Sequence, residues 1–176
     1  ALRRDTELEY GMALILADYF PIVARRLFLA DFDEAFYREI RRNVPAGLTY
    51  LERARVLNAD VLKTKVSRYF PEIAPPYVEC DIENYLGLAF GIQGQTQRAR
   101  YHLDQAGNLA RQSGYHLGKA DGIFFLNQVY LLSQNTPEGK KAAYSLANIA
   151  DQYSLLPYAI WSKMILAHYD RRAGDM

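Results

Sequence analysis

The sequence predicts an all-α protein of short antiparallel helices joined by tight turns, and three observations predict it. Apolar residues recur at three- and four-residue spacing almost throughout. Strictly alternating Val/Ile/Thr runs, and Asn-Gly or Asp-Gly pairs between such runs, are absent. From residue 78 onward, segments of similar length are separated by only a few turn residues, which makes neighbouring helices antiparallel. Finally, the pairs Leu86-Gly87, Leu126-Asn127 and Leu166-Ala167 recur at intervals of 40 residues, the mark of a repeated unit larger than one helix.

Taken in order, Leu8, Met12, Ile15, Leu16 and Tyr19 place a helix from Thr6 to about Ala30. Pro21 should kink or restart it, because proline removes one backbone donor and clashes with the preceding turn. The stretch ADFDEAFYREIRRN gives a short second helix whose Phe32, Ala35, Phe36 and Ile40 share a face, and NVPAG is expected to break it. A long helical segment from about Ala46 to Phe70 follows, and PEIAPP reads as the clearest linker. Beyond it, helices are expected at about Val78–Gln93, Thr96–Gln112, Leu117–Gln134, Pro137–Gln152 and Pro157–Arg172, giving at least seven in all. In NTPE, Asn135 or Thr136 is a cap, Pro137 suits the first helical position and Glu138 the first turn. Residues 1–76 are expected to form an N-terminal set of repeat-like helices and 77–176 a set of helical hairpins, together one continuous domain. A chain opening on Ala1 rather than Met reads as a fragment of a larger protein.

Composition narrows the function classes. Half of the 176 residues are apolar and 23% are charged, which is a globular rather than a disordered balance. With 21 basic and 20 acidic residues the net charge is +1, so no overall field draws nucleic acid or an anionic membrane. Basic clusters interleaved with tyrosine, as in RRNV, ERARV and QRARYH, therefore read as solvated helix faces. The single cysteine, Cys80, excludes an internal disulfide framework and points to a reducing compartment. No apolar run approaches the ~18 residues needed to span a bilayer, and the expected location is cytoplasmic. Fourteen tyrosines suit helix seams with one apolar and one wet edge.

Leu86, Gly87, Phe90, Gly94, Ala99 and Ala106 together resemble the tetratricopeptide repeat, a helix–turn–helix unit. Leu103 stands where that family carries an aromatic, Glu83 fills the tryptophan-like slot and Arg111 the closing proline slot. The 40-residue period and the stretch NLARQSGYHLGKADGIFFLNQVYLLSQ are similar to the longer-period subclass found in bacterial regulators and sensors. Gly87 costs about 1 kcal/mol relative to alanine inside a helix, a cost offset if two helices cross at contact distance there. Ala99, Leu103 and Ala106 align with Ala143, Ala147 and Ala150 if four residues around NTPE are an insertion.

The resemblance implies a right-handed superhelix of antiparallel hairpins, a TPR-like α-solenoid, with the first helices lining a concave face. The partner-facing positions are then Asn84, Leu88, Gly91 and Ile92, next Phe124, Gln128 and Leu131, and last Met164, His168, Arg171 and Arg172. That surface, apolar in the centre and basic at one end, suits a protein or peptide ligand with an acidic end. The implied function is a peptide- or protein-binding module, the sensor or adaptor region of a larger bacterial regulatory protein. The alternatives are a self-association element, in which the same face is buried in a homodimer, and a helical RNA-cleaving enzyme. The second rests on the Arg-x4-His spacing of Arg111 and His116, with Gly114 between them at a helix end.

No cofactor or metal is expected. His102, His116 and His168 are dispersed and Cys80 is remote from each in sequence, so no zinc-site spacing arises. Asp31, Asp33 and Glu34, and likewise Asp81 and Glu83, flank expected helix starts, where carboxylates complement the helix dipole. Phosphate-loop, dinucleotide and nucleophile-elbow signatures are missing, and the chain is expected not to be an enzyme.

Overall fold

The computed structural model describes residues 34–57 and 75–174, where six α-helices follow one another: α1 Glu34–Leu57, α2 Pro75–Ile92, α3 Thr96–Ser113, α4 His116–Leu132, α5 Thr136–Gln152 and α6 Leu156–Gly174. No strand occurs among the described residues. The all-α expectation holds for them, and α2 to α6 fall within three residues of the boundaries implied by the apolar spacing. The helix expected over 6–30 and the segment 58–70 lie outside the described residues.

The expected break at NVPAG does not occur, because α1 runs unbroken through Pro45. Val44, Leu48, Leu51 and Ala54 recur at helical spacing and are buried, and α1 packs against α2. Burying each large aliphatic side chain stabilises by about 1.5–3 kcal/mol. Together these exceed the roughly 3 kcal/mol that an internal proline costs a helix. Thr49 donates its hydroxyl to the Pro45 carbonyl at 3.1 Å. The two helices are antiparallel: Arg41 reaches the Gln93 carbonyl at one end, while Arg55 meets Glu83 further back along α2.

Beyond α2, four turns are built alike. Gly94, Gly114, Gln134 and Ser154 each take a left-handed conformation, with φ of 79°, 69°, 56° and 54°. The amide after each donates to a carbonyl five residues back: Gln95 to Phe90, Tyr115 to Ala110, Asn135 to Tyr130 and Leu155 to Ala150. The next helix then opens with bonds from Ala99, Lys119, Gly139 and Ala159 to the carbonyls of Gln95, Tyr115, Asn135 and Leu155. This is a helix-terminating left-handed cap that satisfies carbonyls which would otherwise have no partner. Asn135 occupies the cap position but its side chain makes no capping bond.

Because the pattern repeats every 20 residues from 94 to 154, α3 and α5 are in register at 40 without any insertion. The expected four-residue insertion is therefore corrected. Ala99 corresponds to Gly139, Leu103 to Ala143, Ala106 to Leu146 and Ala110 to Ala150.

Successive helices pack on one another, and α2 also touches α4, as α4 touches α6, whereas α3 and α5 do not meet. The division follows from the sequence. Helices α3 and α5 bury one face each, mostly through alanines, while α2 and α4 bury residues on nearly every side. Gly87 lies where α2 crosses α3: a Cβ there would stand 2.5 Å from Leu103 Cγ and 3.1 Å from the Ala99 carbonyl oxygen. Similarly, a side chain at Gly91 would strike Val129 of α4, and one at Gly122 of α4 would lie 2.7 Å from Asn84 Oδ1. Glycines therefore set the close approach of α2 to both neighbours.

Candidate functional site

The expected partner-facing residues divide sharply. Asn84, Leu88, Ile92, Phe124 and Gln128 are buried, and Gly91 and Leu131 are buried with them. Phe124 packs against Phe125 and Trp161, with ring centroids at 5.9 and 5.5 Å. Asn84 donates to the Gly118 carbonyl at 2.8 Å, tying α2 to α4. These five side chains are interior packing in this structure, where the sequence reading had them facing a groove. The reason is that α2 and α4 are enclosed helices, apolar around nearly their whole circumference. Three buried amides are incompletely bonded: Asn84 Oδ1, Asn127 Oδ1 and Gln128 Nε2 have no hydrogen-bond partner among the described residues. On α6 the outcome reverses. Met164 and Arg171 are exposed and His168 is half-buried. Arg172 belongs to α6, but its side chain lies outside the described residues.

The 40-residue register explains the reversal. Cys80, Ala120 and Ile160 hold one position in α2, α4 and α6, and Asn84, Phe124 and Met164 hold the position four residues on. Cys80 and Asn84 are buried, and Asn84 meets α4. Ala120 and Phe124 are buried, and Phe124 meets α6. In α6 the same two positions are open, Ile160 at 52% and Met164 at 40%, and Leu156, one turn earlier, is 69% exposed. These three, at successive four-residue steps, form an apolar stripe down one side of the helix. Exposed Lys163 and Arg171 stand on or beside it. Asp170, at its edge, is held by Lys140 of α5 at 2.8 Å.

The other candidates resolve into structural roles. Glu83, read as capping a helix start, lies in the body of α2, buried. Its carboxylate pairs with Arg55 of α1 at 3.2 Å and with His102 Nδ1 of α3 at 2.7 Å. His102 stacks on Phe90, with ring centroids 5.1 Å apart, and the Arg98 guanidinium lies 3.9 Å above the Phe90 ring. The Glu83 carboxylate thus joins three helices, through an ion pair to α1 and a hydrogen-bond contact to α3. Its signal was the mid-helix position of an acid among apolar residues. Asp81 accepts a hydrogen bond from the Tyr115 hydroxyl at 3.4 Å. Burial, with Asp81 and Asp121 adding to it, pushes the Cys80 thiol up to about 12, which disfavours the nucleophilic thiolate.

Arg111 and His116 lie on different helices across the left-handed turn at Gly114, and the His116 ring stacks on Tyr153 at 3.6 Å. Among the described residues no cluster of three His, Cys, Asp or Glu side chains could hold a metal ion, and no helix is long and apolar enough to cross a membrane. No protein-family model matches the chain, and neither does any curated protein or solved structure at significance.

Proposed function

We propose that this chain is a protein-binding helical-repeat module, the adaptor or sensor region of a larger regulatory protein, and that α6 carries its docking face. The observation behind this reading is the register. A face that meets the helix two further on in α2, and again in α4, is left apolar and open in α6. Repeat arrays stack through such faces, so exposed Leu156, Ile160 and Met164 present a surface suited to a further helix.

The occupant that fits is an amphipathic helix of another protein, with apolar residues at i, i+4 and i+8. Acidic residues on its flanks would face Lys163 and Arg171. Self-association is the weaker reading, since Asp170 is engaged by Lys140 and a second α6 would bring these cations towards its own.

A synthetic helical peptide with leucines at those spacings and glutamates beside them tests the proposal, with a lysine-flanked version as comparison. The acidic peptide should bind at least tenfold more tightly. Ile160→Glu with Met164→Glu should abolish binding while leaving helicity unchanged, and Arg171→Glu should remove its salt dependence. Equal binding of both peptides, or binding that survives the double substitution, overturns the docking face. A mass that doubles with concentration and returns to monomer in the double variant favours the dimer instead.

A further inference from the structure

A cleft of about 410 Å³ lies between α3 and α4, away from the α6 stripe. Its α3 wall carries Leu103, Gly107 and Arg111, and its α4 wall carries Lys119, Ile123 and Leu126. Since the helices are antiparallel and joined at Gly114, Arg111 and Lys119 share the turn end, and Leu103 and Leu126 the opposite end. Seven residues of helix separate Arg111 from Asp104 on the rim, roughly 10 Å at 1.5 Å per residue. The cleft therefore has a cationic mouth and an apolar body.

Neither Arg111 nor Lys119 is in an ion pair among the described residues. Two cations flanking one mouth without a counter-charge repel each other and favour an anion between them. Gly107 keeps the middle of the cleft open, since a Cβ there would meet no atom within 4 Å. The volume is in the range of sites that enclose small molecules, which are apolar clefts with a few placed polar groups.

We propose that this cleft binds a small amphiphilic carboxylate, its carboxylate held by Arg111 and Lys119 and its apolar body lying over Leu103, Ile123 and Leu126. Arg111 suits the part because a guanidinium can grip both carboxylate oxygens at once. Lys119 is half-buried and lines the same cleft, and the long flexible stem of a lysine lets an ammonium reach such a mouth. The site stands apart from the α6 docking face, so each can fail without the other.

Octanoate is a suitable probe, titrated calorimetrically into the whole chain beside octanol, which lacks the charge, and acetate, which lacks the tail. Octanoate should bind at least tenfold more tightly than either. Arg111→Gln and Lys119→Gln should each weaken it at least fivefold, and Gly107→Leu should fill the cleft and abolish binding with helicity and melting temperature preserved. The proposal is overturned if octanoate does not bind. It is equally overturned if octanol binds as well, or if Gly107→Leu binds octanoate like the parent.

Discussion

At the scale of single residues, the four turns are where sequence and conformation part company. Gly94 and Gly114 announce themselves as left-handed caps, but Gln134 and Ser154 adopt the same conformation with side chains that disfavour it. A left-handed residue with a Cβ costs roughly 1–2 kcal/mol, and glycine does not bear that cost. Gln134→Gly and Ser154→Gly should each stabilise the fold by about 0.5–1 kcal/mol after allowing for the greater freedom of glycine in the unfolded chain, read as a higher melting temperature. A lower melting temperature in either variant would contradict the cap geometry.

Cys80 and Tyr115 set the behaviour at high pH. Burial, reinforced by Asp81 and Asp121, raises both the Cys80 thiol, from 9.0 to about 12, and the Tyr115 hydroxyl from its ordinary 10.0. The unfolded chain then releases these protons at lower pH than the folded one. Stability from the pair is fully present below about pH 9 and is lost as pH rises towards 12. Melting curves recorded from pH 7 to 11 should show this alkaline fall, and Cys80→Ala with Tyr115→Phe should flatten it. An unchanged slope in the double variant assigns the loss to other groups.

At the scale of elements, helix existence from α2 to α6 could be read from apolar spacing and turn residues because those signals are local. What could not be read depends on neighbours. Pro45 looks like a break until the burial of Val44, Leu48 and Leu51 against α2 is counted. The α3–α5 register, set by left-handed residues at 94 and 134, is obscured by alanines that are common on any buried helix face. Phe124 looked like a groove residue because the 40-residue register gives its position but not what covers it.

The glycine argument carries through from sequence to packing. Gly87 in mid-helix implies a tight crossing, and the crossing is with Leu103 and Ala99. Gly87→Ala should therefore destabilise by about 1–3 kcal/mol despite the better helix propensity of alanine, because Leu103 must move. Urea unfolding measures it, and a variant as stable as the parent would show that α2 and α3 do not approach this closely.

At the scale of the molecule, the account rests on one relation: residues 40 apart occupy equivalent faces, covered in α2 and α4 and open in α6. Cys80, Ala120 and Ile160 are three members of one such set, and their accessibility reads the relation directly. A thiol at a covered position reacts only when the fold opens, whereas one at an exposed position reacts at once. The decisive measurement is the rate of native-state thiol labelling at these three places: the natural Cys80, Ala120→Cys in a Cys80→Ala background, and Ile160→Cys in the same background. The account predicts that the first two label at least about a hundredfold more slowly than the third. It also predicts that the acidic helical peptide protects position 160 alone. Rapid labelling at 120, or protection at 160 in the isolated chain, would contradict it.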